Sequence, residues 1–574
     1  MSERSKVWPH LIPEIKDWPI YKLHDHRDDL IREMDAYALA RIEELYGDKI
    51  SDIIAKTIYL EQIRIKEEPW KVDPPNEQLF WKKLRKKLSR KGLDRDDAES
   101  RKALESILKT IIHRYSEEIV GTFRKGTFLF ARQFLRIFFN RLLNTAAGRN
   151  LGRVYGTKYD ITERLIVQGE VERVRSLMSK GTVVIVPTHF SNLDSILIGY
   201  AMDRICGLPS FSYGAGLNLY NTGYTAYFMN RLGAYRIDRR KKNPVYLQTL
   251  YAFSSLAIQK GVNSLFFPGG TRSRTGQLET KLKLGMLSTV MDAQRTMLME
   301  GKKEKVFIVP LVLGYHVVLE AKFLIEQHLK ITGKEQYIVQ TKDQFHSFRK
   351  LMRFAWNFFS DPSKITLSFG KPMDVLGNFV DENGQSLDRF GKPIHLEEYF
   401  LRDGQMVKDL QRESEYLKIL ADRIVDRYHK DSIVLTSHLV AFAAFNLLKH
   451  ENPKLDLFGL LRLPTDDFVF PKSKLKKVIA QLKKILIEMA GKGKLKLAEK
   501  IHADVDTILY NGIKHLGVYH PEKPLLVNKE GKIVSEDFKL LYYYHNRLVN
   551  YGLAAQIQWQ TTKDESSKPV SAGV

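Results

Sequence analysis

The sequence holds a single cysteine, Cys206, in 574 residues. An intramolecular disulfide is therefore excluded, and so is a metal centre built on clustered thiolates. Set between Ile205 and Gly207, Cys206 reads as a small buried residue and not as a nucleophile. Long apolar runs are also missing. The nearest, Ile433 to Leu448, falls short of the roughly 18 residues that a membrane span needs, and it is broken by Thr, Ser, His and Asn. The opening residues, MSERSKVWPHLIPEIKDW, are charged and lack the apolar core of a secretory signal. No internal repeat stands out. There is no zinc-finger spacing and no aromatic signature of an RNA-recognition motif, so nucleic acid is not an expected partner. No Gly-x-Ser-x-Gly elbow surrounds Ser191 or Ser195, which weakens a covalent serine-hydrolase reading.

What the sequence does have is positive charge. Lys and Arg number 91 against 67 Asp and Glu, a formal net charge of +24, which suits an anionic surface or a phosphorylated small molecule. Seven of the ten residues from Lys82 to Lys91 (KKLRKKLSRK) are basic. Such a run is either a solvated helix face or a segment drawn to anionic lipid headgroups. From Phe128 to Leu143, Phe134, Phe138 and Leu142 recur at helical spacing between arginines, a pattern suited either to an interfacial helix or to one buried against a neighbouring domain. If this protein works on lipid, it lies on the membrane and does not cross it.

Residues 1–150 read as a helical region. From 151 to 375 strand and helix signals alternate: Thr182 to Pro187 (TVVIVP) is a β-branched buried-strand run, with further runs at Ser210–Tyr213, Ala234–Ile237, Ser264–Phe267, Val306–Leu313 and Ile365–Phe369. That alternation predicts an α/β domain with a mostly parallel sheet flanked by helices. Residues 376–560 read as a second helical region, opening on a Gly/Asp/Asn-rich loop at 376–396 and containing a basic amphipathic helix from Ser473 to Met489. Residues 561–574 form a polar tail.

Chemistry concentrates where strands end. The first strand runs into Thr188-His189-Phe190-Ser191-Asn192-Leu193-Asp194, and a His and Asp five apart across a turn can hydrogen-bond, the Asp fixing the imidazole tautomer for general-base work. On that reading Asp194→Asn is expected to leave the wrong tautomer. The same spacing occurs at His24 and Asp29 within HDHRDD, but no buried strand precedes it, and it reads as a solvated helix start. A second turn, Phe266-Phe267-Pro268-Gly269-Gly270-Thr271-Arg272-Ser273-Arg274, gathers hydroxyls and guanidinium forks suited to an oxyanion. Between them lies Gly233-Ala234-Tyr235-Arg236-Ile237-Asp238-Arg239-Arg240, and after them the strand Ile308-Val309-Pro310-Leu311.

These four blocks, in this order, resemble the glycerolipid acyltransferase superfamily, and the chain is most similar there to the large membrane-bound glycerol-3-phosphate acyltransferases. The resemblance implies that His189 and Asp194 are catalytic, and that Gly233, Arg239, Gly270, Arg272 and Ser273 serve the substrate, with Arg274 beside them and Pro310 marking the fourth block. It implies an acyl thioester donor, either acyl-CoA or acyl carrier protein. It implies glycerol 3-phosphate or its 1-acyl form as acceptor, an anionic membrane surface on the cytoplasmic face as location, and no cofactor or metal. Two departures stand out. Gly269 takes a place where the third block carries an acidic residue, and Asp238 before Arg239 is nearer to the lysophosphatidate acyltransferases. A lysophosphatidate acyltransferase and a non-catalytic lipid-binding relative are the rival readings.

Overall fold

The computed structural model describes residues 6–70, 72–90, 98–146, 165–220, 223–333, 365–518 and 520–559. Its contacts divide the chain into two units: one of residues 1–272, 279–313 and 344–431, the other of residues 273–278, 314–343 and 432–574. The second unit thus takes up two segments from within the stretch that the sequence assigns to the α/β domain.

The first unit begins with helices α1 (Pro19–Asp25), α2 (Arg27–Tyr46), α3 (Ile50–Glu67), α4 (Glu77–Arg90), α5 (Ala98–Ile119) and α6 (Lys125–Ala146). Their apolar stripes meet in one core: Met34, Ala38 and Ile42 of α2, Ile54 and Ile58 of α3, and Ile111, Ile112 and Tyr115 of α5 are all buried. Trp81 and Leu84 turn α4 inward, which leaves Lys82, Lys83, Arg85, Lys86 and Lys87 exposed as a basic outer face. Lys91 and the side chains of Phe138 and Leu142 lie outside the described residues.

The alternating part follows: β1 (Leu165–Gly169), α7 (Val171–Leu177), β2 (Gly181–Pro187), α8 (Asp194–Arg204), β3 (Ser212–Gly216), α9 (Gly223–Met229), β4 (Ala234–Ile237), α10 (Pro244–Gln259), β5 (Ser264–Leu265), α11 (Leu284–Met299), β6 (Lys305–Gly314) and β7 (Ile365–Phe369). The seven strands form one sheet in the order β1-β7-β6-β2-β5-β3-β4. Pairing is parallel between β1 and β7, β6 and β2, β2 and β5, β5 and β3, and β3 and β4. Strand β2 is central and buried from Thr182 to Pro187, as a parallel strand covered on both faces must be, and this favours its Val- and Ile-rich composition. Helix α10 opens on an Asn243 side chain that accepts from Tyr246 N–H, with Pro244 at the first helical position, and packs against α2, α5 and α11. The N-terminal helices therefore share a core with the sheet domain.

Several expectations shift by a few residues. Strand β3 starts two residues later than the expected run, β5 is only two residues long, and β1 was not anticipated. The 376–396 stretch holds three short antiparallel strands, β8 (Phe379–Val380), β9 (Ser386–Leu387) and β10 (Pro393–Ile394), because Asp374, Asp381 and Asp388 each accept backbone N–H groups across their turns. Helix α13 (Leu410–Asp431) closes the unit.

The second unit holds α12 (Ala321–Gly333), α14 (Thr436–Glu451), α15 (Lys472–Gly491), α16 (Val505–His515) and α17 (Phe538–His545). Helix α14 is buried along its whole length from Thr436 to Leu448, with α15, α16 and α17 packed around it. That placement explains the most apolar run of the sequence as a core helix. No helix among the described residues is long and apolar enough to cross a membrane.

Candidate active site

The site is built on the loops that follow β2, β4 and β5, where an α/β sheet displays reactive side chains. Beyond β2, Thr188 is still held in the sheet, its N–H on Leu311 O and its hydroxyl accepting from Leu313 N–H. The next residue, His189, turns away. Its Nδ1 lies 2.9 Å from Asp194 Oδ2. The same carboxylate oxygen accepts Phe190 N–H at 2.7 Å and Ser191 N–H at 3.0 Å. Asp194 is fully buried as the first residue of α8, where the helix dipole favours a negative charge. With Nδ1–H donated to Asp194, Nε2 is the nitrogen left to take a proton. The ring stacks on Phe267 at 4.0 Å between centroids, which ties the β2 and β5 loops together.

The β5 loop turns sharply at Gly270, which has φ +78°. A Cβ built there would meet the Lys283 side chain, with Nζ at 3.0 Å, so an ammonium lies over the bare turn. Lys283 was not picked out as a site residue, because a lysine thirteen residues beyond Gly270 carries no spacing signal. Neither was Glu279. Its Oε1 accepts His189 N–H at 3.2 Å, and its side chain lies 3.2 Å from the position of a Cβ on Gly269.

The β4 loop brings in Arg239. Burial, and then the charge of Arg272, lower its pKa, so the two guanidiniums are close enough to repel. Its neighbours are otherwise engaged. Asp238 and Asp73 both grip Arg240, at 2.7 and 2.5 Å, and Glu68 O accepts from Arg240 at 2.7 Å. Lys241 is buried against Glu118 and the Tyr115 ring. Asp73 is shared with Arg64 of α3 at 2.9 Å. Among the described residues no carboxylate pairs with Arg239, and two guanidiniums brought close together suit an anion.

The other expected residues fall elsewhere. Gly233 lies at the opposite end of β4 from Arg239, with φ +80°, and a Cβ there would strike Ile20 Cδ1 at 2.2 Å; its glycine serves packing on α1. Pro310 is buried in mid-strand opposite Val186, with its carbonyl taken by Gly370 N–H at 2.8 Å. Ser273 and Arg274 belong to the second unit. There Ser273 Oγ donates to Gln277 O at 2.8 Å, and Arg274 lies near His328, whose pKa is lowered by burial and then by this guanidinium. Cys206 is a buried free thiol, its pKa pushed up to about 12 by burial.

The motif-like His24 is corrected by the structure. It is not solvated but buried on α1, where burial, and then Arg27, lower its pKa to about 4; among the described residues neither ring nitrogen has a hydrogen-bond partner. Asp29 pairs instead with Arg32.

Comparison with known proteins finds similarity over the same part of the chain. The family model described as "Acyltransferase" matches residues 165–314, from β1 to the end of β6. Among curated relatives, the chain is similar to a glycerol-3-phosphate acyltransferase of Shewanella loihica, 26% identical over 401 residues, covering 67% of this chain and 42% of the relative. It is also similar to one of Shewanella sp. strain MR-4, 25% identical, covering 69% and 44%, and to one of Alteromonas mediterranea, 26% identical, covering 50% and 31%. The chain thus spans less than half the length of these relatives. The His189–Asp194 pair, at the end of a parallel central strand, lies inside the segment 165–314 that is similar to the Acyltransferase family.

Proposed function

We propose that the protein moves a fatty acyl group from an acyl thioester to the sn-1 hydroxyl of glycerol 3-phosphate, the first acylation of phospholipid synthesis. The carrying observation is the meeting of a base and clustered cations: His189, oriented by Asp194 at 2.9 Å, beside a turn whose Arg272 is close enough to Arg239 for their charges to repel. His189 Nε2 takes the hydroxyl proton as the glycerol oxygen attacks the thioester carbonyl. The imidazolium is stabilised by Asp194. The tetrahedral intermediate then expels the thiolate, and the proton passes from His189 to sulfur. General-base catalysis of this kind contributes about 10²–10⁴-fold, and holding the phosphate at Arg239 and Arg272 supplies positioning. The acceptor phosphate is what these two cations select for.

For the acyl chain, an apolar cavity lies between α6, α8 and β3, lined by Phe128, Leu135, Ile196, Tyr200, Phe211 and Met229. Ser195 and Ile196, which directly follow Asp194 in α8, line the same cavity. The donor, acyl-CoA or acyl carrier protein, is read from the resemblance alone. Peripheral attachment to the cytoplasmic membrane face is supported by the exposed Leu129, Phe130, Phe134 and Ile137 of α6 and by the basic outer face of α4.

The test is a donor–acceptor panel with mass analysis of product. Acylation of glycerol 3-phosphate that is lost in His189→Ala supports the reading, and no product with either donor would overturn it. Flotation with anionic vesicles that weakens as salt rises supports the membrane assignment, because exposed charges are screened beyond about 10 Å at 0.1 M salt. Equal flotation on neutral and anionic vesicles would remove it.

A further inference from the structure

Glycine at 269 leaves a gap in the turn that faces His189, and the structure shows what fills it. A Cβ added to Gly269 would lie 3.2 Å from both Glu279 Cγ and Glu279 Oε1, a distance tighter than ordinary van der Waals contact. That same Oε1 accepts the backbone N–H of His189 at 3.2 Å. The carboxylate therefore sits between the two halves of the site, reaching back from the far side of the turn to the main chain of the base. Its charge is also felt by buried Tyr428, whose hydroxyl is held above its usual pKa by burial first and by Glu279 second. Tyr428 in turn donates to Val186 O at 2.9 Å, in the strand that leads to His189.

We propose that Glu279 is a positioning residue for His189, its carboxylate fixing the His189 main chain, and that residue 269 is glycine because Glu279 occupies the volume a side chain would need. The inference rests on the acyl-transfer reading above. Asp194 fixes the imidazole from the α8 side, and Glu279 holds the His189 N–H itself; without that acceptor the ring would swing with its main chain. A base displaced by about 1 Å loses on the order of 100-fold in rate. The positions form a coupled set: adding bulk at 269 pushes Glu279 off His189, whereas a carboxylate supplied from 269 can take over once Glu279 is gone.

The test is steady-state kinetics on the full chain with four variants. Glu279→Ala should lower kcat by about 10- to 100-fold with both KM values within about 3-fold. Glu279→Gln keeps an acceptor oxygen for His189 N–H and should stay near the parent. Gly269→Glu alone should lose activity by steric and like-charge conflict. The double variant Gly269→Glu with Glu279→Ala should exceed Glu279→Ala in kcat by at least about 5-fold. Near-parent kcat in Glu279→Ala, a Gln variant as poor as the Ala variant, or strictly multiplicative losses in the double variant would each overturn the proposal. Should Glu279→Ala fail to fold by circular dichroism, the Gln and double variants carry the decision. His189→Ala is run alongside. Full turnover in that variant would sink the acyl-transfer reading itself, whereas a dead His189→Ala with a parent-like Glu279→Ala sinks the Glu279 inference alone.

Discussion

Replacing Asp194 with Asn separates two roles of the carboxylate, and the structure changes what the substitution should do. In many His–Asp pairs an amide turns its NH2 toward the imidazole and forces the wrong tautomer. Here one oxygen, Oδ2, accepts three donors: His189 Nδ1–H, Phe190 N–H and Ser191 N–H. An amide nitrogen in that place would meet two backbone N–H groups head-on and orphan both, at about 1–3 kcal/mol each. The amide oxygen is therefore held where Oδ2 was, the imidazole keeps Nδ1–H, and only the negative charge is lost. A charge-assisted hydrogen bond is worth about 1.5–3 kcal/mol and a neutral one about 0.5–1.5 kcal/mol, so kcat should fall by about 5- to 13-fold. Asp194→Ala removes the acceptor of all three donors and should cost about 10³-fold or more, with a visible drop in Tm. The assay is kcat for thiol release from an acyl thioester, with melting curves for each variant. An Asn variant as inactive as His189→Ala would show that the backbone donors do not control the amide and that the wrong tautomer wins.

Arg272→Ala should reduce kcat/KM for glycerol 3-phosphate by about 10- to 150-fold while sparing an unphosphorylated glycerol acceptor, and Arg272→Lys should recover only part of it, since an ammonium lacks the planar fork. Equal losses on both acceptors would mean that Arg272 shapes the turn and does not bind phosphate. Asp73→Asn, which weakens the hold on Arg240, should raise the KM for glycerol 3-phosphate by about 10-fold with a smaller change in kcat, read by initial rates at saturating donor. An unchanged KM would separate the Arg240 anchor from Arg239. Stability should fall as pH drops from 6.5 toward 4, because buried His24 titrates near 4 when folded and at 6.5 when unfolded; the neutral ring is stabilising above 6.5, and about 3 kcal/mol is lost across the window. Urea titrations should show a flatter pH dependence for His24→Leu, and an unchanged one would exclude His24 as the cause.

The parallel sheet was legible because its strands are short β-branched runs, and a strand buried on both faces has few other ways to be written: Thr182 to Pro187 is one. The His189–Asp194 pair was legible because both partners lie in one turn, so chain spacing and spatial distance coincide. Glu279 and Lys283 were invisible for the opposite reason. Each comes back to the site from beyond the turn, and sequence distance says nothing of that return. The division of contacts was hidden as well: residues 273–278 and 314–343 leave the α/β stretch for the second unit without any change in composition at 272 or 313. His24 shows the converse failure. Its HDHRDD setting reads as solvent-facing, but α1 places His24 inward while His26 stays exposed.

The second block also shows why a helical region of this size precedes the sheet. Of its residues, Gly233 is bare so that Ile20 of α1 can pack at the near end of β4. Asp238 and Arg240 are tied to Asp73, and through it to Arg64 of α3, while Lys241 is buried on Glu118 of α5. Tyr115 and Glu61 reach Asn243, the residue that caps α10. Buried ion pairs of this kind add little net stability, because desolvation offsets their attraction, but breaking one is costly. Their effect is to hold geometry. The loop from 238 to 241 is anchored on both sides of Arg239, and among the described residues Arg239, the guanidinium in it without a carboxylate, is the one close to Arg272. On the proposed reading, this anchoring sets where Arg239 leaves the main chain, so less of the acceptor's binding energy would be consumed in ordering the loop. On that reading the N-terminal helices act on acceptor recognition through main-chain placement.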